Sequence, residues 1–399
     1  MSRTSDTPER KHDIPTIAQK NRIIDNIIRT FAEGENFLVV GHESPDEDCV
    51  SCMVAVALLL SKLDKKVTIC TIPDLPEHFE YLIDIARYNS INVNSQCEDE
   101  QNRIDTVIFC DSPKPELVYL APAIKSIVQR EGVQHVEIDH HLDSDSRYNA
   151  DRGHALVAEA SSACELVGLL ACKLSARERL LEEYAVEEVF SRNLVLAILT
   201  GIIGDTQMGS FIKSRKEARF YKMFSAMFDR LLAEKTTKQT NFTNMNEVYG
   251  ELRKLSAREA ECTAFLVQRK EIRGHVGAVA LNEKDSMEAI QRFDLDTLVS
   301  VARGVADELA EESGYVSLVS YYDPPESSDL IQLRCRRSRN FKEVDLRELL
   351  ERQGIENGGG HAGAIGFRME RGEVPDYDSF INRIIAGIEE LLVEIGVDK

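Results

Sequence analysis

Apolar runs of strand-like composition recur at intervals of roughly thirty residues in the first part of the chain, with helical patterns between them. The runs are Phe37–Val40, Lys66–Thr71, Ile104–Cys110 and Val133–Ile138. Regular alternation of strands with helices is typical of repeated βαβ units, whose parallel strands are covered on both faces. We therefore predict an α/β fold with a mostly parallel sheet in the N-terminal part of the chain.

Residues that can bind metal ions follow three of these runs, and another follows the long apolar stretch Val189–Ile203, which we predict to be a buried helix. The candidates are His42, Asp46, Asp48, Asp111, His140 and Asp205. In open α/β sheets, ligands bind at the carboxyl ends of the strands. Any one of these residues alone is typical of an ordinary polar loop or helix end. Six such groups at one edge would repel and desolvate one another unless cations neutralised them.

A site for two divalent cations resolves this repulsion, because one shared carboxylate can bridge ions about 3.5–4 Å apart. Such a pair polarises a phosphoryl group and generates hydroxide near neutral pH. The predicted ligands are carboxylates and imidazoles without thiolates, which favours Mn²⁺, with Mg²⁺ as the alternative, over structural zinc. The sequence therefore predicts two divalent metal ions as cofactors.

The nine cysteines are odd in number and mostly lie in apolar runs, which favours reduced core thiols in a cytosolic protein over a disulfide framework. Cys49 and Cys52 form a C-x-x-C pair. This spacing occurs in zinc and redox sites, and it also arises from two small residues in the first turn of a buried helix. No second C-x-x-C is present in the sequence, so we favour the second interpretation.

The net charge of −20 argues against a surface that coats long nucleic acids, which would be basic. A short nucleotide held by metals and a local basic patch remains compatible with this charge. The polar start of the sequence shows no signal peptide, and no apolar run reaches the length of a membrane span. We therefore expect a cytoplasmic protein without a membrane partner.

The composition changes at a Thr- and Asn-rich stretch, which we interpret as a linker between two domains. The predicted organisation is a flexible tail at 1–15, a catalytic domain at 16–234, a linker at 235–249 and a substrate-binding domain at 250–399. Strands are predicted in the last of these at Thr263–Val267, Val276–Leu281, Tyr315–Tyr322 and Leu330–Arg336. We expect a smaller α/β domain with a mixed sheet.

Two features of this second domain are suited to phosphate binding. Strand alternation places Arg334 and Arg336 on one face, and Arg337 follows at the strand end, although a solvated strand face would look the same. The segment Gly358-Gly359-Gly360-His361 is predicted to be a loop whose backbone N–H groups approach an anion, with His361 as a further donor. A plain turn before a strand at Ala364–Phe367 is the alternative.

Together these motifs resemble one family. G-H-x-x-P-D-x-D from Gly41, the strand-end Asp111, D-H-H at Asp139 and G-I-I-x-D-T from Gly201 are similar, in this order, to the DHH phosphoesterase superfamily. G-G-G-H at Gly358 resembles the signature of the DHH-associated C-terminal domain. The pairing resembles the RecJ-like branch and its short relatives, which are oligoribonucleases of the nanoRNase type, phosphoadenosine phosphate phosphatases and cyclic dinucleotide phosphodiesterases.

The resemblance implies a role for each motif residue. One metal would be held by His42, Asp46 and Asp111, and the other by Asp48, Asp111, His140 and Asp205. Asp139 would support the site and His141 would face the scissile phosphate. The chain departs from the family pattern at two positions, since Glu47 and Gln207 stand where glycine is usual. Neither departure removes a predicted ligand.

The implied function is a metal-dependent phosphoesterase that hydrolyses phosphodiester or terminal phosphate bonds of short oligonucleotides or small nucleotides in a cleft between the domains. Long duplex nucleic acid is not an expected partner, and a homodimer is one option that the sequence leaves open. One alternative is a polyphosphate or pyrophosphate hydrolase on the same scaffold. The other is a non-catalytic nucleotide sensor, against which the presence of all six ligands argues.

Overall fold

The structure is a computed structural model that describes residues 9–96, 103–233, 242, 244–355 and 357–397. The chain divides into two compact units, Met1–Lys254 and Leu255–Lys399. Each unit contains one six-stranded sheet. Among the described residues, none of the helices combines the length and the apolar composition that a bilayer crossing requires.

The sheet of the first unit is entirely parallel, as its strand pairs show. Its strands are β1 (Asn36–Val40), β2 (Lys66–Cys70), β3 (Asn92–Asn94), β4 (Thr106–Cys110), β5 (Gln134–Asp139) and β6 (Ala155–Val157). They lie in the order β3-β2-β1-β4-β5-β6. The order reverses between β1 and β4, and in doubly wound sheets the ligand crevice opens at such a switch point. The predicted parallel α/β fold is confirmed.

Helices cover this sheet, and two of them are almost wholly buried. The helices are α1 (Ile17–Glu33), α2 (Glu47–Lys62), α3 (Glu80–Tyr88), α4 (Pro122–Gln129), α5 (Ala163–Ser175), α6 (Glu178–Glu183), α7 (Arg192–Thr206), α8 (Arg215–Ala233) and α9 (Met245–Leu252). Every residue of α2 from Asp48 to Leu60 is buried, and so is every residue of α7 from Leu194 to Ile203. A helix that is apolar on all sides needs such an environment.

The second unit has the predicted mixed sheet. Its strands are β7 (Glu271–Arg273), β8 (Val276–Ala280), β9 (Val316–Tyr322), β10 (Leu330–Arg337), β11 (Gly358–His361) and β12 (Ala364–Glu370). These strands lie in the order β11-β12-β10-β9-β8-β7. Among the described strands of this sheet, β8 and β9 are the only neighbours that pair in parallel. The helices of this unit are α10 (Ala257–Val267), α11 (Glu283–Phe293), α12 (Leu295–Ser313), α13 (Arg347–Arg352) and α14 (Tyr377–Glu394).

Two predicted elements of the second unit are wrong. The predicted strand Thr263–Val267 is the last part of α10, which begins with a capping box formed by Ser256 and Glu259. Such a box satisfies the free N–H groups of a first helical turn, and a short apolar run alone does not distinguish strand from helix. The predicted loop Gly358–His361 is strand β11, paired with β12 in a hairpin.

The segments assigned to a tail and a linker also differ from expectation where the structure describes them. Residues 1–8 of the predicted tail and 235–241 and 243 of the predicted linker lie outside the described residues. Lys11 is only 1% exposed, and its backbone N–H donates to Ser146 O. At the other segment, α9 buries Val248 and Leu252 in the core of the first unit. Both contacts join residues far apart in sequence, which local composition does not predict.

Candidate metal centre

The exit of β1 brings the first predicted ligands together. Asp46 caps the N-terminus of α2 by accepting a hydrogen bond from the backbone of Cys49. A Cβ on Gly41 would collide with Cys49 Sγ, so the glycine lets the first turn of α2 close against the strand exit. His42 Nε2 then lies 3.7 Å from Asp46 Oδ1 and 3.6 Å from Asp111 Oδ2.

Asp111 lies directly after β4, at the neighbouring strand end across the switch point. Its carboxylate is shared, because Oδ2 faces His42 while Oδ1 lies 3.5 Å from both His140 Nε2 and His141 Nδ1. Oδ1 is buried and accepts no hydrogen bond among the described residues. The backbone of Asp111 has φ +48°, a left-handed conformation that costs a non-glycine residue about 1–3 kcal/mol. Strain of this kind concentrates at functional sites.

His140 lies among three carboxylates. Its Nε2 is 3.4 Å from Asp205 Oδ2, 3.5 Å from Asp111 Oδ1 and 3.8 Å from Asp48 Oδ2. The other ring nitrogen, Nδ1, lies 3.4 Å from the carbonyl oxygen of Ala160. A carbonyl at Nδ1 orients an imidazole so that Nε2 is the nitrogen that can bind a metal.

Helices deliver the remaining two carboxylates. Asp48 is fully buried and accepts hydrogen bonds from the backbone N–H groups of Ala163 and Cys164 at the start of α5. Asp205 lies on the last turn of α7. A Cβ on Gly201 would lie 2.5 Å from Asp48 Oδ1, so this glycine permits the close approach of α7 to Asp48.

The two departures from the family pattern have structural counterparts. Glu47 begins α2, and a Cβ on Gly204 would lie 2.5 Å from Glu47 Cβ, so a glycine on α7 accommodates the extra side chain. Gln207 ends α7 in the left-handed conformation with φ +44°. Glycine adopts this conformation without strain, whereas glutamine does not.

These groups have the spacing of ligands around shared cations. The six distances between imidazole nitrogens and carboxylate oxygens described above run from 3.4 to 3.8 Å, longer than a good hydrogen bond. Two ligands that each bind one ion at about 2.0–2.2 Å lie about 3–3.6 Å apart. Four of the six distances fall in this range, and the other two, at 3.7 and 3.8 Å, lie just above it. Together with the unpartnered Asp111 Oδ1, this spacing fits divalent cations. We call His42, Asp46 and Asp111 the first group, and Asp48, Asp111, His140 and Asp205 the second group.

The protonation equilibria of the protein without metal reflect this crowding. Burial and the nearby Asp111 and Asp205 raise the pKa of Asp48 well above its usual range. Burial is also the main reason that the pKa of Asp205 rises to about 8. The pKa of Asp111 falls well below its usual value, because His140 and His42 outweigh the effect of its burial. A cation would replace the protons that keep such carboxylates together.

His141 and Asp139 form a different kind of contact. His141 Nδ1 lies 2.8 Å from Asp139 Oδ1, which is a direct hydrogen bond, and the backbone N–H of His141 donates to Asp139 Oδ2. Lys11 Nζ, which is fully buried, donates to Asp139 Oδ2 at 2.6 Å and lies 2.8 Å from Glu137 Oε1. Although burial favours the neutral acid, His141 and Lys11 lower the pKa of Asp139.

Sequence reasoning missed three residues of this centre. Lys11 and Glu137 belong to no sequence motif. Both have a role only through the ion pairs of Lys11, which join it to Glu137 and, across 128 positions, to Asp139. Cys49 was visible in the C-x-x-C pair but was assigned to the core. The ligand atoms of Cys49, His42 and Asp111 all lie within 4.8 Å of one another. Burial raises the pKa of the Cys49 thiol to about 12.

The three arginines predicted to bind phosphate all lie on β10, but they have different partners. Arg336 Nε lies 3.3 Å from Asp307 on α12. Arg337 donates to the carbonyl oxygens of Lys342 and Val344, which ties it to the following loop. The Nε atoms of Arg334 and Arg337 are both buried and donate no hydrogen bond within the described part of the chain, but Arg337 is already held through its Nη1. Of the three, Arg334 is therefore best suited to receive an anion.

The three glycines beside these arginines are not equivalent. A Cβ on Gly358 would lie 2.8 Å from Phe367 Cβ, and Gly360 has φ +135° with no room for a Cβ beside Ala364 O. A Cβ on Gly359 would meet nothing within 4 Å. Gly359 pairs with Gly366, which pairs with Arg334 across the next strand. Gly366 and Gly359 therefore add no side chain to this row on the two strands beyond Arg334. The side chain of His361 lies outside what the structure describes.

Comparison with known proteins gives a family match for the first unit. Residues 36–202 match the model of the DHH family, N-terminal domain. This part of the chain is therefore similar to the N-terminal domain of the DHH family, and it includes the sheet and five of the six predicted metal ligands. Asp205 follows three residues after the matched range. No curated protein sequence matches the chain.

Solved structures support the fold. An exopolyphosphatase-related protein from Bacteroides fragilis superposes with a TM-score of 0.62 at 16% identity, covering 94% of this chain and 98% of that chain. A pGpG-specific phosphodiesterase from Vibrio cholerae has a TM-score of 0.35 at 12% identity, with 90% and 99% covered. RecJ from Thermus thermophilus, in complex with Mn²⁺, has a TM-score of 0.44 at 13% identity, with 95% and 56% covered. Only the first of these similarities is strong enough to carry an argument, and at this identity it concerns the fold alone.

Proposed function

We propose that this protein is a metal-dependent phosphoesterase that hydrolyses phosphodiester or terminal phosphate bonds in short oligonucleotides or small nucleotides. One observation carries the proposal. Two histidine rings each face carboxylate oxygens at ligand spacing, and Asp111 presents one oxygen to each ring. The match of residues 36–202 to the DHH family supports the same chemistry.

The first and second groups would each hold one divalent cation, with Mn²⁺ favoured and Mg²⁺ as the alternative. Such ions supply Lewis acidity and a hydroxide near neutral pH. Asp111 would be a ligand in both groups, because each of its oxygens faces a different imidazole. The strained, buried position of Asp111 at the end of β4 holds this carboxylate in place before any ion arrives.

His141 would act on the substrate itself. Because Asp139 engages Nδ1, the ring is oriented with Nε2 directed away from Asp139, where it can donate a hydrogen bond to a phosphoryl oxygen. Lys11 and Glu137 hold Asp139 in turn. This support keeps the imidazole in one orientation, as charge stabilisation in a transition state requires.

The second unit would bind the phosphate of the same substrate. Arg334 offers an unpartnered guanidinium nitrogen, Nε, in a row whose next two residues are Gly366 and Gly359. A guanidinium forms charge-assisted hydrogen bonds with phosphate. We retain Arg336, Arg337 and His361 as contributors from the sequence prediction, with Arg334 as the principal group.

The decisive experiment is a Mn²⁺ assay across a dinucleotide, phosphoadenosine phosphate, cyclic di-AMP, pyrophosphate and polyphosphate. We expect turnover of at least one of the first three, loss of that activity with EDTA, and recovery on adding Mn²⁺. Turnover of pyrophosphate or polyphosphate alone would establish the alternative hydrolase. Binding of nucleotide without turnover of any substrate would instead identify a sensor and contradict the proposal.

A further inference from the structure

Four buried cysteines lie close to the metal centre, and one of them differs from the other three. Cys49, Cys52, Cys110 and Cys164 are all free and buried. The Cys52 thiol contacts those of Cys110 and Cys164, so these three face one another within the core. Cys49 instead contacts the imidazole of His42. Small thiols that fill core space explain Cys52, Cys110 and Cys164. They do not explain why the thiol of Cys49 faces His42.

The direction of Cys49 follows from the start of α2. Its backbone N–H donates to the capping carboxylate of Asp46 at 3.2 Å, which fixes this residue in the first turn. Its sulfur packs over Gly41, where any Cβ would collide with it. The thiol is thereby held at the strand exit beside His42.

Cys49 lies within the geometry of the first group. Its Sγ, a ring nitrogen of His42 and a carboxylate oxygen of Asp111 are all within 4.8 Å of one another. Asp46 Oδ1 lies 3.7 Å from His42 Nε2. With Cys49 added, the first group would offer one sulfur, one nitrogen and two carboxylates, whereas the second group offers one nitrogen and three carboxylates. Asp111 is common to both groups, because its Oδ2 faces His42 and its Oδ1 faces His140.

We propose that Cys49 is a fourth ligand in the first group and that the two groups prefer different metals. Four-coordinate sites with sulfur and imidazole ligands favour borderline cations such as Zn²⁺ and Co²⁺. The second group, rich in hard oxygen ligands, suits Mn²⁺ or Mg²⁺. On binding, the thiol loses its proton to solvent and the thiolate donates to the cation, without any redox change. This inference rests on the metal centre of the proposed function but not on its substrate, and at the first group it replaces the preference for Mn²⁺ that was drawn from a ligand set without thiolates.

Cobalt spectroscopy tests the proposal without an activity measurement. The full-length chain, stripped of metal, is titrated with Co²⁺ while the near-ultraviolet charge-transfer band of a sulfur–cobalt bond is recorded. We expect the band to grow until one equivalent is bound. Cys49→Ser should abolish the band and weaken Zn²⁺ binding at the first group by at least about tenfold, the lower end of the loss seen when a residue that only orients a ligand is removed.

Cys52→Ser is the matched control, because Cys52 lies one turn further along α2, is equally buried and is outside the first group. It should keep the band. If Cys49→Ser does not fold, Cys49→Ala serves as a second variant, and the wild-type titration alone remains informative. Absence of the band in the wild type, or its persistence without Cys49, would overturn the proposal. Either result is independent of whether a phosphate ester is hydrolysed.

Discussion

The metal centre of the first unit and strand β10 of the second unit are both rich in charge, but their charges are compensated differently. Around Asp111 the groups of opposite charge are imidazoles at 3.5–3.6 Å, beyond good hydrogen-bond distance. On β10, Arg336 faces Asp307 and Arg337 donates to backbone carbonyls. We therefore expect the first region to bind cations and Arg334 in the second region to bind an anion. Chemistry and substrate binding should therefore respond to different mutations.

The largest effect is expected for Asp111→Ala, because Asp111 belongs to both groups. Activity should fall more than a thousandfold, which corresponds to about 4 kcal/mol of barrier, and both ions should be lost. Metal content by mass analysis and turnover check this prediction. Asp205→Asn, which alters only the second group, is the control and should cost one ion. An Asp111→Ala enzyme that keeps two ions would refute the bridging role.

Lys11→Met should destabilise the fold of the first unit by about 3–5 kcal/mol, because it leaves the buried carboxylates of Asp139 and Glu137 without their cation. Chemical denaturation measures this change in the free energy of unfolding. Lys114→Met is the control. Lys114 pairs with Asp145 at the surface, where such a pair contributes about 1 kcal/mol or less. Equal losses for the two variants would contradict a supporting role for Lys11.

His141→Ala should lower kcat by about a hundredfold to a thousandfold, the usual loss for one group that stabilises transition-state charge. Metal content should be unchanged. His141 Nδ1 also lies 3.5 Å from Asp111 Oδ1, so metal analysis tests whether His141 itself binds an ion. A lost ion would make His141 a ligand rather than a group that acts on the phosphate.

The smallest effect is expected on β10. Arg334→Ala should raise KM by about tenfold to a hundredfold while kcat is largely retained, because a lost charge-assisted hydrogen bond costs about 1.5–3 kcal/mol of uniform binding. Arg337→Ala is the matched control on the same strand. It should lower stability through the lost contacts with Lys342 and Val344, with a smaller change in KM. An unchanged KM for Arg334→Ala would remove the second unit from substrate binding.

Local sequence patterns determined the parallel sheet and the place of its candidate ligands. In a parallel sheet all strands end at one edge, so His42, Asp111 and His140 had to converge once the strands were recognised. Strand alternation likewise predicted that Leu333 and Cys335 of β10 are buried while Arg334 and Arg336 point to the other face. These inferences depend only on the spacing of apolar residues along the sequence and on the direction of the strands.

Only the tertiary structure decided which side chains share an environment. Lys11 reaches Asp139 across 128 positions, and no local pattern encodes such a contact. Cys49 and Cys52 look alike in sequence, but helix rotation turns one toward His42 and the other toward the core. The three arginines of β10 are likewise distinguished only by Asp307 and by the loop after the strand. Periodicity determines the face on which a residue lies, whereas its partner depends on long-range packing.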